Sequence, residues 1–231
     1  MIIDRYNFFL FDIDRTLWDF DTNAAVAMHA MLNEFQIDIG SYDEFISYYE
    51  VINHHLWDEY EAGRITKEYL RRERFYQTLK NNYGKDDLDL SERMGNRYLE
   101  YMALGKALMP GALDLLRAIQ SKGGKMAIVS NGFREVQYRK MEVSGIAHFF
   151  SAVMISDEIG VHKPHPAIFK KAMEAIGGGK KETLMVGDDY RNDIEGAQIF
   201  GIDQFYYNPN NIPSDKGATY ESSDLWDLIR L

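Results

Sequence analysis

Residues 6–16 read Tyr-Asn-Phe-Phe-Leu-Phe-Asp-Ile-Asp-Arg-Thr, an apolar run that stops at two aspartates, Asp12 and Asp14. A short apolar run bounded by polar residues has the length of a strand buried on both faces. Two more runs follow the pattern: 125–129 leads into Ser130-Asn131-Gly132, and 183–186 into Gly187-Asp188-Asp189. Helical spacing of apolar residues marks 133–144, 166–176 and 192–200. Strands alternating with helices predict an α/β fold with a doubly wound parallel sheet, whose ligand site lies beyond the carboxyl ends of the strands. The residues expected there are Asp12, Asp14, Ser130, Asp188 and Asp193.

Residues 22–104 interrupt the alternation. They contain no proline and no convincing strand, and read as about four amphipathic helices near 22–35, 42–61, 66–83 and 90–104. This predicts a core domain of residues 1–18 and 108–231, with a helical domain of residues 19–107 inserted after the first strand. Linkers at 17–21 and 105–111 would form a hinge, letting the insert act as a lid.

The 231 residues, 45% of them hydrophobic, suffice for one core and one insert. A formal charge of −10 disfavours polyanions, so a nucleic-acid polymer is excluded as a partner, though a small anion could bind beside local cations or a metal. Cysteine is absent, which removes thiolate nucleophiles and Cys-ligated zinc. No stretch has the length of a membrane span, and the N-terminal run meets carboxylates too soon for a signal peptide. The expectation is a cytoplasmic protein; its oligomeric state is not legible.

The Asp12/Asp14 pair could bind a metal, divide nucleophile and acid/base roles, or form a solvated turn. Ser130, Asn131 and Gly132 offer a hydroxyl, an amide and approachable backbone N–H groups for an anion, or simply a strand-to-helix turn. Lys163 sits in a loop stiffened by Pro164 and Pro166, which would hold a cation near a phosphate. Asp188, Asp189 and Asp193 crowd the end of the third run, where a cation would relieve their repulsion; oxygen-only ligands point to Mg²⁺.

These four motifs, in this order at strand ends, resemble those of the haloacid dehalogenase (HAD) superfamily: Asp12/Asp14/Thr16, Ser130, Lys163 and Asp188/Asp193. The resemblance covers essentially the whole chain, the helical insert looking like the superfamily's first type of cap on a Rossmann-like core. Within the superfamily, LFDIDRTLWDFD, LWDEYEAGRIT, SNGF, ISDEIGVHKPHPAIF and LMVGDD look like bacterial pyrimidine 5′-nucleotidases. The resemblance implies that Asp12 is the nucleophile and Asp14 the acid and base. It implies Mg²⁺ held by Asp12, the Asp14 carbonyl and Asp188, with Thr16 and Asp193 in support, and phosphate contacts from Ser130, Asn131 and Lys163. Two positions depart from the family pattern: Arg15, expected in solvent or a salt bridge, and Asp189, expected either near metal or bonded to the next loop.

Specificity would come from the insert, where aromatics such as Tyr48, Tyr49, Trp57, Tyr60 and Tyr69 could stack on a base or fill the insert's own interior. Asn53 and Trp57, four apart on one helix, are the candidates for facing substrate. The favoured substrate is a nucleoside 5′-monophosphate; the alternative is a phosphatase or phosphomutase acting on small sugar phosphates.

Overall fold

The computed structural model describes residues 1–213 and 217–230. The chain divides into two compact units, one of Met1–Asn23 with Lys106–Leu231, the other of Ala24–Gly105. Its strands among the described residues are β1 (Phe8–Phe11), β2 (Lys125–Ser130), β3 (Ala152–Ile155), β4 (Thr183–Gly187), β5 (Asp203–Tyr207) and β6 (Tyr220–Ser222). The α-helices among the described residues are α1 (Phe20–Phe35), α2 (Tyr42–Glu61), α3 (Lys67–Tyr83), α4 (Leu88–Met102), α5 (Ala112–Ser121), α6 (Arg134–Val143), α7 (Ser156–Ile159), α8 (Pro166–Ala175), α9 (Gly196–Phe200) and α10 (Asp227–Arg230).

In the first unit all six strands are parallel, in the order β3-β2-β1-β4-β5-β6. The order reverses at β1, so the crevice beyond its end is bordered by β2 on one side and β4 on the other. Leu10 aligns with Ala127 and Met185, and all three face Ile168, Phe169, Ala172 and Met173 of α8. Phe9 and Phe11 alternate to the opposite face, their rings stacked 6.4 Å apart. β1 starts two residues later than the apolar run suggests, because Ile2–Arg5 form a 3₁₀ turn and the Tyr6 carbonyl accepts from Lys122 Nζ.

The second unit is helical. Phe45, Tyr49, Leu56 and Tyr60 form one buried stripe on α2, and Met94, Tyr98 and Met102 repeat the spacing on α4. Helix starts follow local chemistry: Ser41, Thr66 and Asp87 each accept a bond from a backbone N–H in the first turn of α2, α3 and α4. Among the described residues no helix is long and apolar enough to cross a membrane.

Candidate active site

Asp12 follows β1 directly, and its backbone N–H still donates to the Val186 carbonyl at 3.0 Å. The chain then turns tightly. Leu17 and Trp18 both donate to the Ile13 carbonyl, and Arg15 takes a left-handed φ of 61°. The Arg15 guanidinium lies 2.7 Å from Asp21 and over the Phe20 ring. The turn places Thr16 so that its hydroxyl donates to Asp188 at the end of β4, 2.9 Å away.

Lys163 reaches the same point from the loop before α8. Its Nζ donates to Asp12 Oδ1 at 2.5 Å and to Asp193 Oδ1 at 2.7 Å, and all three side chains are buried. The loop is fastened by Asn131, whose amide donates to the Lys163 carbonyl at 3.1 Å and accepts from its N–H at 2.8 Å. The side chain expected on a phosphate thus holds the lysine's backbone.

Asp193 comes from a π-helical turn, Tyr190–Glu195, capped by Asp189, which accepts from Asn192. Helical spacing predicts one helix over 192–200; instead this wider turn precedes α9, and Ile194 N–H reaches back to the Asp189 carbonyl. Gly187 makes the approach possible, since a Cβ there would lie 2.3–2.5 Å from the Asp193 side chain.

Asp12, Asp188 and Asp193 each bring a carboxylate oxygen within 4.8 Å of the others. Burial pushes the Asp12 carboxyl up against the opposing pull of Lys163, with Asp14 adding to the rise. Burial and the nearby Asp12 charge take Asp188 up to about 8. Asp193 rises well above the usual range, again through burial and despite Lys163. For Lys163, burial pulls the ammonium down, but Asp12 and Asp193 outweigh it and hold the charge. A buried, oxygen-only donor set with more carboxylates than its lysine neutralises fits a small, hard divalent cation.

Asp14 faces different partners. Lys140 Nζ lies 2.6 Å from Oδ1, and Gln137 Nε2 donates to Oδ2 at 2.7 Å. Gln137 Nε2 also donates to Ser130 Oγ at 2.8 Å, which accepts from Gly132 N–H at 3.1 Å. Neither α6 residue stands out in the sequence. Their only signal is a three-residue spacing, one helical turn, on the helix that follows Ser-Asn-Gly.

The specificity candidates lie in the helical unit, on α2. Asn53 Oδ1 accepts from Arg74 at 3.4 Å, and Trp57 meets Tyr60 edge-on at 5.7 Å. Tyr49 and Tyr60 are buried, whereas Tyr48 and Tyr69 are exposed.

The site's carboxylates, hydroxyls and buried lysine lie just past the ends of parallel strands, and residues 6–201 match the family model of haloacid dehalogenase-like hydrolases. The chain belongs to that family. It is 34% identical over 230 residues to the pyrimidine 5′-nucleotidase PynA of Streptococcus pneumoniae, covering 97% of this chain and 94% of PynA. Identity is 30% over 233 residues to the pyrimidine 5′-nucleotidase YjjG of Escherichia coli, covering 98% of each. Among solved structures, the HAD-hydrolase YfnB of Bacillus subtilis, bound to magnesium and described as revealing interdomain movement, superposes with a TM-score of 0.87. It is 31% identical, with 97% of both chains covered.

Proposed function

We propose that the protein is a Mg²⁺-dependent cytoplasmic phosphatase that hydrolyses nucleoside 5′-monophosphates, pyrimidine nucleotides best, through an aspartyl-phosphate. The observation that carries the chemistry is the division of labour between two aspartates two residues apart. Asp12 is bound by Lys163 among carboxylates, and Asp14 is bound separately by Lys140 and Gln137. The choice of nucleotides is supported by PynA and YjjG, which this chain matches over nearly its full length.

An Asp12 carboxylate oxygen attacks phosphorus, and the bond from phosphorus to the 5′ oxygen breaks. Asp14 gives its proton to the departing alkoxide. It then takes a proton from water, whose oxygen attacks phosphorus and releases Asp12 and phosphate. Lys163, the Ser130 hydroxyl and the backbone N–H of Asn131 hold the negative oxygens of the transferred group. Asp12, Asp188 and the Asp14 carbonyl would hold Mg²⁺, with Thr16 fixing Asp188 and Asp193 fixing Lys163. When bound, the ion supplies charge neutralisation for the phosphoryl group.

We read residues 19–107 as a cap domain that selects the leaving group, with Asn53 and Trp57 as its candidates for contact. The test compares kcat/KM for dUMP, dTMP, UMP, AMP, glucose 6-phosphate and β-glucose 1-phosphate with Mg²⁺. A pyrimidine nucleotide is expected to lead. Faster turnover of either sugar phosphate than of every nucleotide would replace this reading with the sugar-phosphate alternative.

A further inference from the structure

We propose that Gln137 and Lys140 are positioning residues for Asp14, and that Gln137 at the same time fixes the Ser130 hydroxyl as a hydrogen-bond donor. The inference rests on the phosphatase reading above and deepens it.

The Asp14 carboxylate is gripped at both oxygens from one helix: Lys140 on Oδ1 at 2.6 Å, Gln137 on Oδ2 at 2.7 Å. Two bonds to two oxygens stop the carboxylate rotating about its last single bond, while the side chain stays 26% exposed. Lys140 itself is 3% exposed, and its Nζ stands 4.0 Å over the ring of Trp18, which is fully buried. Burying an ammonium without a partner is costly, so the lysine's place is set by Asp14 and the indole face together.

Gln137 does two jobs with one nitrogen. One hydrogen goes to Asp14, the other to Ser130 Oγ at 2.8 Å. The orientation of its amide is fixed by chemistry, because the opposite one would set Oε1 against a carboxylate. With Gly132 N–H also donating to Ser130 Oγ at 3.1 Å, both lone pairs of the hydroxyl are taken. Its own hydrogen is left to point elsewhere, as an anionic oxygen requires. Gly132 makes room, since a Cβ there would fall 2.2 Å from Gln137 Nε2. Gln137 Oε1 is buried without a hydrogen-bond partner, a cost that stability alone does not explain.

The test uses leaving groups. A nucleoside 5′-monophosphate expels an alkoxide that needs Asp14's proton; p-nitrophenyl phosphate expels a stable phenolate that hardly does. kcat/KM reports formation of the aspartyl-phosphate. In Lys140→Met it is expected to fall on the order of 100-fold for the nucleotide and less than about 10-fold for the aryl phosphate. In Gln137→Leu, which also frees the Ser130 hydroxyl, both substrates lose activity and the nucleotide loses more. The variants should also release a burst of p-nitrophenolate matching the enzyme concentration, because the water-activating step has lost its aligned base. Lys140→Arg should recover much of the nucleotide activity. Asp14→Asn, with the acid itself removed, is the benchmark for this selectivity. If Lys140→Met does not fold by circular dichroism, the excess loss on the nucleotide over the aryl phosphate in Gln137→Leu carries the test. Equal losses on both substrates in a folded variant, where Asp14→Asn is selective, would overturn the inference. An Asp14→Asn variant that shows no selectivity would remove Asp14 as the acid of the proposed mechanism and the inference with it, whereas absence of phosphate release from every ester by the parent enzyme would remove the phosphatase reading itself.

Discussion

The Asp188 carboxyl, taken up to about 8 by burial and by Asp12, has a consequence for stability. An unfolded aspartate ionises near about 4, so at intermediate pH the folded, metal-free protein keeps a proton that the unfolded chain has released. That contribution is fully present below about pH 4 and is lost as pH rises through about 8. A cation bound at Asp188 displaces this proton. The rise in Tm on adding Mg²⁺ to EDTA-treated protein is therefore expected to grow between about pH 5.5 and 8.5; a rise that shrinks over that range would remove Asp188 from the ligand set. At Asp12, the amide of Asp12→Asn is nearly the same size but cannot attack phosphorus. Turnover should fall on the order of 10⁴-fold or more with the far-ultraviolet spectrum unchanged, and sustained hydrolysis in a contaminant-free preparation would exclude Asp12 as nucleophile.

Between strands and helices, Gly187 ends β4 in close contact with the Asp193 side chain. In Gly187→Ala the added methyl must push the carboxylate from Lys163 or distort the π-helical turn. The expected cost in denaturant unfolding is about 1–3 kcal/mol, with more Mg²⁺ needed for half-maximal activity. Stability and metal requirement both unchanged would show that the turn relaxes freely. The three strands that carry the motifs were legible because each is an apolar run ended by polar residues. β3 is short and only half-buried, β6 has three residues, and β5 follows α9 after a single intervening pair, so none offered that contrast. Gln137 and Lys140 stayed hidden for the opposite reason. In the stretch Arg-Glu-Val-Gln-Tyr-Arg-Lys-Met-Glu-Val polar residues dominate, and nothing in their order says that these two turn inward.

For the whole molecule, the long break in strand-helix alternation made the insertion visible, since four helices without a strand cannot extend a parallel sheet. Replacing Ala24–Gly105 by a short linker tests its role as a lid. The expected loss is far greater on a nucleotide than on a small aryl phosphate, because binding energy from the distant part of the substrate is used in the transition state. Equal losses would leave the helices a structural role only. The insertion also bears on the order in which the chain folds. Phe8 of β1 pairs with Lys125 of β2, so the central strand must wait for a partner more than a hundred residues away. The two ends of the interruption are laced together by Asp19 and Asn23, both bonded to Ala107. A helical unit that condenses early from sequence-local contacts would shorten the search between these ends. Closure entropy grows only slowly with loop length, but local helix pairs form much faster than distant strand pairs. In pulse-labelled hydrogen exchange, amides of α2, α3 and α4 should gain protection before those of β1, making the last-docked strand the one that carries Asp12.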